Sequence, residues 1–361
     1  MMLEDYPIEE LQKAIDSASE ISSSEEILEI AKAREKNSKT KENYLFTRDD
    51  LRFATPDIVA DYRAKRLKCR CILDIGCGVG LQSIAFAKTC DKVIGVDIDE
   101  RKIRYAKINA SIADVKNIEF FHLDALSDET LFHAKEADII FCDTERPTSQ
   151  EHRKLDDVRP SPLSIVERFS GLTEDIAIEV PPFLDDIPMD CEKEYLSVDH
   201  RLNRLTIYFG NLRKEKLCAV SLPNEETLAS SVTKKTITRS SVKRFLHEVD
   251  TSIIRAGLDS ELALSTGTSI YVKKKRSLLL TSDEMIDNPF IKDSYRVLCV
   301  TNEENIKEEL KRHDAEKVIL RADVDPKDYW TIRKKYEVDL IGKKMIHLFI
   351  NDGELVLSEK I

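Results

Sequence analysis

The chain has 361 residues, 56 Lys/Arg against 67 Asp/Glu, a formal net charge of −11 and 34% charged residues, so there is room for two or three domains, each with its own core. No apolar stretch nears the ~20 residues that span a bilayer, and the acidic, amphipathic start MMLEDYPIEELQKA is expected to be neither a signal nor a transit peptide. Eight cysteines are scattered without a C-x-x-C pair, an arrangement that speaks against a zinc site and for a reducing, cytoplasmic setting.

The first stretch reads as helical. Leu3 to Ala18 and Ile21 to Ala33 repeat apolar residues at helical spacing, and Ser22-Ser23-Ser24-Glu25 supplies a start signal. Pro56 to Leu67 opens with proline and keeps an apolar stripe at Ile58, Val59, Tyr62 and Leu67. Residues 1–67 are therefore expected to form an N-terminal helical segment.

From Cys71 to Asp99 the sequence is CILDIGCGVGLQSIAFAKTCDKVIGVDID. An apolar run ends in Asp74, glycines follow at Gly76, Gly78 and Gly80, and a helix-like stretch leads to a second apolar run that ends in Asp97. Strand, glycine-rich turn, helix and strand with an acid at its tip make a unit for a cofactor that contains adenosine. Glycines allow close backbone approach, and the second acid can hold both ribose hydroxyls. The dinucleotide fingerprint G-x-G-x-x-G leaves a helix N-terminus for a pyrophosphate. Here the pattern is D-x-G-x-G-x-G, and a carboxylate beside the turn repels a pyrophosphate but attracts a cation. S-adenosylmethionine carries an ammonium and a sulfonium and no phosphate. An NAD-binding domain with a degenerate fingerprint is the alternative.

Three more strands follow, near residues 118–123, 138–142 and 174–180. Together with the first two, near 71–74 and 93–97, they alternate with helix-length segments, giving a doubly wound, mostly parallel α/β sheet. Asp124 and Asp143 follow the third and fourth strands, so Asp74, Asp97, Asp124 and Asp143 all fall at expected carboxyl ends, where ligands of such sheets bind. An ordinary strand-end aspartate capping its turn is the alternative for Asp124. Leu202 to Phe209 and Leu217 to Leu222 read as two adjacent strands joined through Gly210-Asn211, which would complete a seven-stranded sheet over residues 68–225.

Residues 226–361 hold 24 Lys/Arg and 23 Asp/Glu, which leaves a net of −12 in residues 1–225. The basic residues of this last part are clustered: Lys234-Lys235 with Arg239, Lys243 and Arg244, then Lys273-Lys274-Lys275-Arg276, then Arg333-Lys334-Lys335. Such runs are either solvated faces or a phosphate-contacting surface, with Tyr271, Tyr329 and Trp330 as candidates for stacking.

The glycine-rich segment resembles motif I of the class I S-adenosylmethionine-dependent methyltransferases. By that resemblance Asp74 sits near the methionine end, Asp97 holds the ribose, Asp124-Ala125 contacts the adenine and Asp143 stands at motif IV, facing the methyl acceptor. More narrowly, the chain resembles class I methyltransferases that carry a C-terminal THUMP-like domain. The resemblance is carried by Phe46-Thr47-Arg48, Ala54-Thr55-Pro56, Asp61 to Arg66, Asp143 to Pro147, Pro160 to Leu163, Cys191 to Asp199, Glu248 to Leu258, Leu280 to Asp283 and Ile319 to Tyr336. It implies an α+β THUMP-like domain over 226–361 and RNA, tRNA or rRNA, as substrate, with Arg146, Lys273, Lys274, Lys275 and Arg276 on the RNA side and no metal. A protein or small-molecule methyltransferase, and a non-catalytic cofactor-binding module, are the alternatives. Asp143-Thr144-Glu145-Arg146-Pro147 departs from the family's Asp-Pro-Ala-Arg-Arg, and Glu179 stands where the family has lysine.

Overall fold

A parallel strand covered on both faces is apolar along its whole length, and β1 (Cys71–Ile75) is buried at every position. The computed structural model describes residues 24–40, 43–145, 155–184, 187–231, 239–322, 324–325 and 327–361. Expectations for Leu3 to Ala18, Arg146, Pro147 and Lys234-Lys235 lie outside these residues. The chain divides into two units, Met1–Glu194 with Arg204–Lys216, and Tyr195–Asn203 with Leu217–Ile361.

In the first unit, β1 is followed by β2 (Lys92–Asp97), β3 (Ile118–His122), β4 (Ile139–Asp143) and β5 (Ile176–Val180). These five pair in parallel in the order β3-β2-β1-β4-β5. One of these registers places two acids side by side, Asp143 of β4 with Glu179 of β5. Next to β5 lies β7 (Arg201–Tyr208), antiparallel to it.

The sequence reading missed β6 (Glu192–Val198). This strand forms a hairpin with β7, and the chain passes between the two units along it. The expected direct neighbours, the strand ending at Tyr208 and β8 (Leu217–Leu222), are therefore not adjacent, because β6 lies between them in the strand order. With β9 (Glu226–Ala229) after β8, the sheet has nine strands among the described residues rather than the expected seven.

Helices Asp57–Arg66, Leu81–Ala87 and Glu100–Ile112 pack on these strands. Ahead of them stand Ser24–Glu35 and Arg48–Phe53, the latter closed by a capping box in which Thr47 and Asp50 satisfy each other's backbone N–H groups. Tyr44, Leu45 and Phe46 are buried in the same core cluster as Cys77, Val79 and Leu81. Asn109 fixes that segment beside the glycine-rich turn: its Nδ2 donates to the Leu45 and Val79 carbonyls, both at 2.9 Å, and its Oδ1 accepts from the Leu45 N–H at 2.6 Å. Two backbone bonds between Glu145 and Arg159, at 2.7 and 2.8 Å, tie together the chain on either side of residues 146–154.

The second unit carries a seven-stranded sheet. Its strands are β10 (Phe245–Val249), β11 (Ser269–Lys273), β12 (Leu278–Ser282), β13 (Ile291–Thr301), β14 (Ala315–Arg321), β15 (Lys344–Asn351) and β16 (Glu354–Lys360). They run in the order β11-β12-β10-β13-β16-β15-β14, antiparallel except for β14 with β15. Among the described residues four short helices accompany them, at Thr251–Ala256, Asp259–Thr266, Ile306–Arg312 and Tyr329–Glu337, so this unit is α+β.

Candidate active site

The turn after β1 is built for close approach. Gly76, Gly78 and Gly80 all have positive φ, at 75°, 56° and 84°, a region that side-chain-bearing residues adopt only at a cost. A Cβ at Gly76 would stand 2.6 Å from the carbonyl oxygen of Asp143, so the turn rests directly on the end of β4. At Gly78 a Cβ would meet no protein atom within 4 Å. That side of the turn faces free space.

Asp97, at the tip of β2, is held by this turn. Its Oδ2 accepts the Gly78 N–H at 2.8 Å and its Oδ1 the Asp99 N–H at 2.9 Å. Each oxygen keeps a second lone pair for a ligand. Burial raises its carboxyl above the usual range, while the two backbone bonds pull it back. Asp74 is buried more deeply. Ser83 Oγ donates to its Oδ2, whereas its Oδ1 is buried with no hydrogen-bond partner. Burial lifts this carboxyl to about 7, against the opposing effects of Ser83 and Arg63. An orphaned carboxylate oxygen in a dry site calls for a donor from outside the chain, and an ammonium group meets that need.

Asp124 is exposed, and its Oδ1 accepts the Leu126 N–H at 2.8 Å, closing its own turn. Its neighbour Ala125 is half-buried. Asp143 is partly buried at the end of β4 and has neighbours that the sequence did not mark. Glu179, opposite it on β5, binds Arg63 Nη2 at 2.5 Å and Arg204 Nε at 2.6 Å. Arg63 also reaches Gln82 Oε1 at 2.8 Å and lies over the Phe141 ring at 4.8 Å. Burial and the charge of Glu179 push the Asp143 carboxyl well above its ordinary value, with Arg204 and Arg63 opposing. Lys39 belongs to this cluster. Burial and Arg204 lower its ammonium to about 8, and it donates to the carbonyls of Arg52 and Ala54 at 3.0 and 2.7 Å. Thr144 donates through Oγ1 to the Glu179 carbonyl at 2.6 Å. The pairs 63–179 and 179–204 join residues far apart in the chain, and no local pattern announces them.

A family model described as "Methyltransferase domain" matches residues 72–157, which span β1 to the segment beyond β4. These residues are a class I S-adenosylmethionine-dependent methyltransferase domain. Among curated relatives, the ribosomal protein L11 methyltransferase of Caldanaerobacter subterraneus is 30% identical over 135 residues, 35% of this chain and 41% of that protein. A 23S rRNA uracil C5-methyltransferase of Shewanella woodyi is 38% identical over 72 residues, 20% of this chain and 14% of that protein. The chain thus spans about two fifths of the first relative's length, and less of the second. A crystal structure assigned to a methyltransferase of Porphyromonas gingivalis W83 aligns over 100% of this chain and 99% of its own, with TM-score 0.74 and 15% identity. That likeness concerns the fold, and it extends through both units. The residues at the glycine-rich turn of the methyltransferase domain fit S-adenosylmethionine on three counts: the orphaned Asp74 Oδ1, the open side of Gly78 and the two free lone pairs of Asp97.

The basic runs of the second unit are not alike. Lys274, Lys275 and Arg276 form the exposed tip of the β11–β12 hairpin, and among the described residues no ion pair involves them. Lys273 differs from the expectation: it is held by Asp259 at 2.7 Å. Arg333 and Lys335 are likewise paired, with Glu337 and Glu303. Tyr271 is buried and bonded to Glu354, whereas Trp330 is exposed beneath the Arg333 guanidinium. Among the described residues no helix is long and apolar enough to cross a membrane.

Proposed function

We propose that this protein transfers the methyl group of S-adenosylmethionine to RNA, the first unit holding the cofactor and the second, THUMP-like, unit gripping the RNA backbone. The carrying observation is the joint geometry of the turn after β1. Asp74 answers the methionine ammonium, Gly76, Gly78 and Gly80 admit the cofactor against backbone, Asp97 accepts from the ribose hydroxyls, and Asp124-Ala125 flank the adenine. Bound S-adenosylmethionine supplies an already activated methyl group, so the protein's part is alignment and exclusion of water.

Asp143 is the residue for the acceptor. Burial and the charge of Glu179 hold its carboxyl above the ordinary carboxylate range, which suits it to accept a hydrogen bond or proton from the acceptor heteroatom and so orient it. Glu179, Arg63 and Arg204 position it: their ion-paired frame fixes the end of β5 against β4. RNA is favoured by the three unpaired cations of the hairpin tip, Lys274, Lys275 and Arg276, which suit phosphates, and by an rRNA-modifying enzyme among the relatives. Arg146, beside motif IV, is assigned to the same substrate on resemblance. A protein acceptor is the second reading, favoured by the net charge of −12 in residues 1–225 and by the relative that modifies ribosomal protein L11.

The test is transfer of labelled methyl from S-adenosylmethionine into RNA, and separately into protein, from a strain lacking the gene, followed by nucleoside and amino-acid analysis. Label in a nucleoside, lost with Asp143→Asn while cofactor affinity persists, is the expected result. Label in protein alone would transfer the assignment to the second reading.

A further inference from the structure

The second unit contains a cleft of about 860 Å³, of which the RNA reading uses the hairpin-tip cations Lys274, Lys275 and Arg276 and leaves the rest of the lining without a role. Its rim is basic: His200, Arg201, Lys274, Lys275 and Arg276 all line it. Glu248 is the acid among the described lining residues, and it is engaged by Lys292 Nζ and Arg321 Nη1, each at 3.4 Å. The floor is apolar, with Tyr271, Val272 and Leu278 buried. An exposed basic rim over an apolar floor, with its acid already matched, is a place for an anion attached to a larger body.

His200 gives the cleft direction. It sits with Asp199 in the tight turn between β6 and β7, at φ 60° and 48°, a conformation in which Gly, Asn and Asp are the usual residues. Histidine at such a position carries strain, and the surroundings hold it there. Asp250 is fully buried, and its Oδ2 receives His200 Nδ1 at 3.0 Å, Ser197 Oγ at 2.8 Å and Ser221 Oγ at 3.3 Å. Its Oδ1 accepts from the Ser252 N–H and Oγ, both at 2.7 Å. Thr251 Oγ1 donates to the His200 carbonyl at 2.9 Å, fixing the main chain as well. A carboxylate with five bonds is a rigid mount. It sets the rotation of the imidazole and places hydrogen on Nδ1, which leaves Nε2 at the cleft as an acceptor for the acidic O–H of a monoprotonated phosphate, a proton that a phosphodiester lacks.

We infer that this cleft binds a terminal phosphate, with the Asp250-mounted His200 as its directed contact and Arg201, Lys274, Lys275 and Arg276 supplying charge. A backbone phosphodiester needs only diffuse cations. A mounted imidazole at one end of a cluster of arginine and lysine matches the higher charge and several oxygens of a phosphomonoester or an oligophosphate. The ligand is thus the phosphorylated end of an RNA strand or a free phosphorylated small molecule. The site is independent of which molecule accepts the methyl group.

The experiment uses the full chain and calorimetric titration with inorganic pyrophosphate, and with one short RNA carrying a 5′-phosphate, a 3′-phosphate or neither. Two variants are compared with the unaltered protein. His200→Asn suits the left-handed turn, and the pair Lys275→Gln with Arg276→Gln alters only an exposed hairpin tip. The expected result is pyrophosphate binding that weakens at least tenfold in each variant, with affinity for S-adenosylhomocysteine unchanged. Preference for a phosphorylated RNA end identifies the ligand as RNA, and pyrophosphate binding without RNA binding identifies a small molecule and removes the RNA reading. Absence of pyrophosphate binding together with equal affinity for phosphorylated and unphosphorylated RNA would overturn the inference while sparing RNA as substrate. Pyrophosphate affinity untouched by both variants would overturn it as well.

Discussion

Replacing Asp97 by alanine separates what the residue does for the turn from what it does for the cofactor. Its two oxygens accept the N–H groups of Gly78 and Asp99. A hydrogen bond to a charged group contributes about 1.5–3 kcal/mol. Water can reach a freed N–H beside an open cleft, so the low end applies, and the loss of both bonds should destabilise the fold by about 3 kcal/mol. Two ribose hydroxyls donating to the same carboxylate give a second loss of similar size, about 3 kcal/mol of binding or on the order of a hundredfold in affinity. Asp97→Asn keeps one acceptor oxygen and should fall between the two. Urea unfolding measures the first effect, and calorimetric titration with S-adenosylhomocysteine, well below the melting temperature of each variant, measures the second. Lowered stability with unaltered affinity in both variants would refute the ribose assignment and reduce Asp97 to a clamp on the turn.

Gly78→Ala should cost about 1 kcal/mol from its positive φ and little else, because the new methyl meets no protein atom, yet it should abolish cofactor binding. Normal calorimetric binding in that variant would show that the open side of the turn is not the site. Cofactor affinity should rise about tenfold from pH 6 to pH 8, since the buried Asp74 carboxyl, pushed up to about 7, must ionise to meet an ammonium, and only about a tenth is ionised at the lower pH. Asp74→Asn should flatten that profile, and a wild-type affinity independent of pH would contradict the pairing. Arg63→Met should destabilise the protein by about 3–5 kcal/mol, read by chemical denaturation, because a buried ion pair loses one partner and Glu179 retains only Arg204. Changing Lys274, Lys275 and Arg276 together to Gln should lower the slope of log affinity for single-stranded RNA against log salt by about two units, whereas Lys273→Gln, which frees Asp259, should not. Equal slopes in the triple variant and the parent would remove the hairpin from the RNA surface.

The glycine-rich turn was legible because its information is local. Gly76, Gly78, Gly80, Asp74 and Asp97 lie within 24 consecutive residues, and each spacing reflects a backbone requirement that no distant residue can alter. The strand β6 was not legible for the opposite reason. Glu192 and Glu194 put two charges where a buried strand would be apolar, and both are buried and neutralised by Arg66, about 130 positions away in sequence. Without that strand, the placing of the β7 and β8 segments as neighbours followed naturally and was mistaken. The frame around Asp143 is hidden in the same way, since Lys39, Arg63, Glu179 and Arg204 come from four separate segments and acquire meaning only through each other. His200 gave no signal at all: its partner Asp250 is fifty residues on, and a histidine after an aspartate in a loop is unremarkable as sequence. The hairpin run was visible as charge, but the engagement of Lys273 by Asp259 distinguishes it from its three neighbours only in three dimensions.

The central claim is that the turn after β1 seats S-adenosylmethionine, and a crystal structure of the protein grown with S-adenosylhomocysteine tests it most directly. The account predicts the ribose hydroxyls within hydrogen-bond distance of Asp97, the amino-acid ammonium against Asp74 Oδ1, and the adenine beside Asp124-Ala125. Density for the ligand elsewhere, or a ribose turned away from Asp97 with the ammonium in solvent, would contradict it.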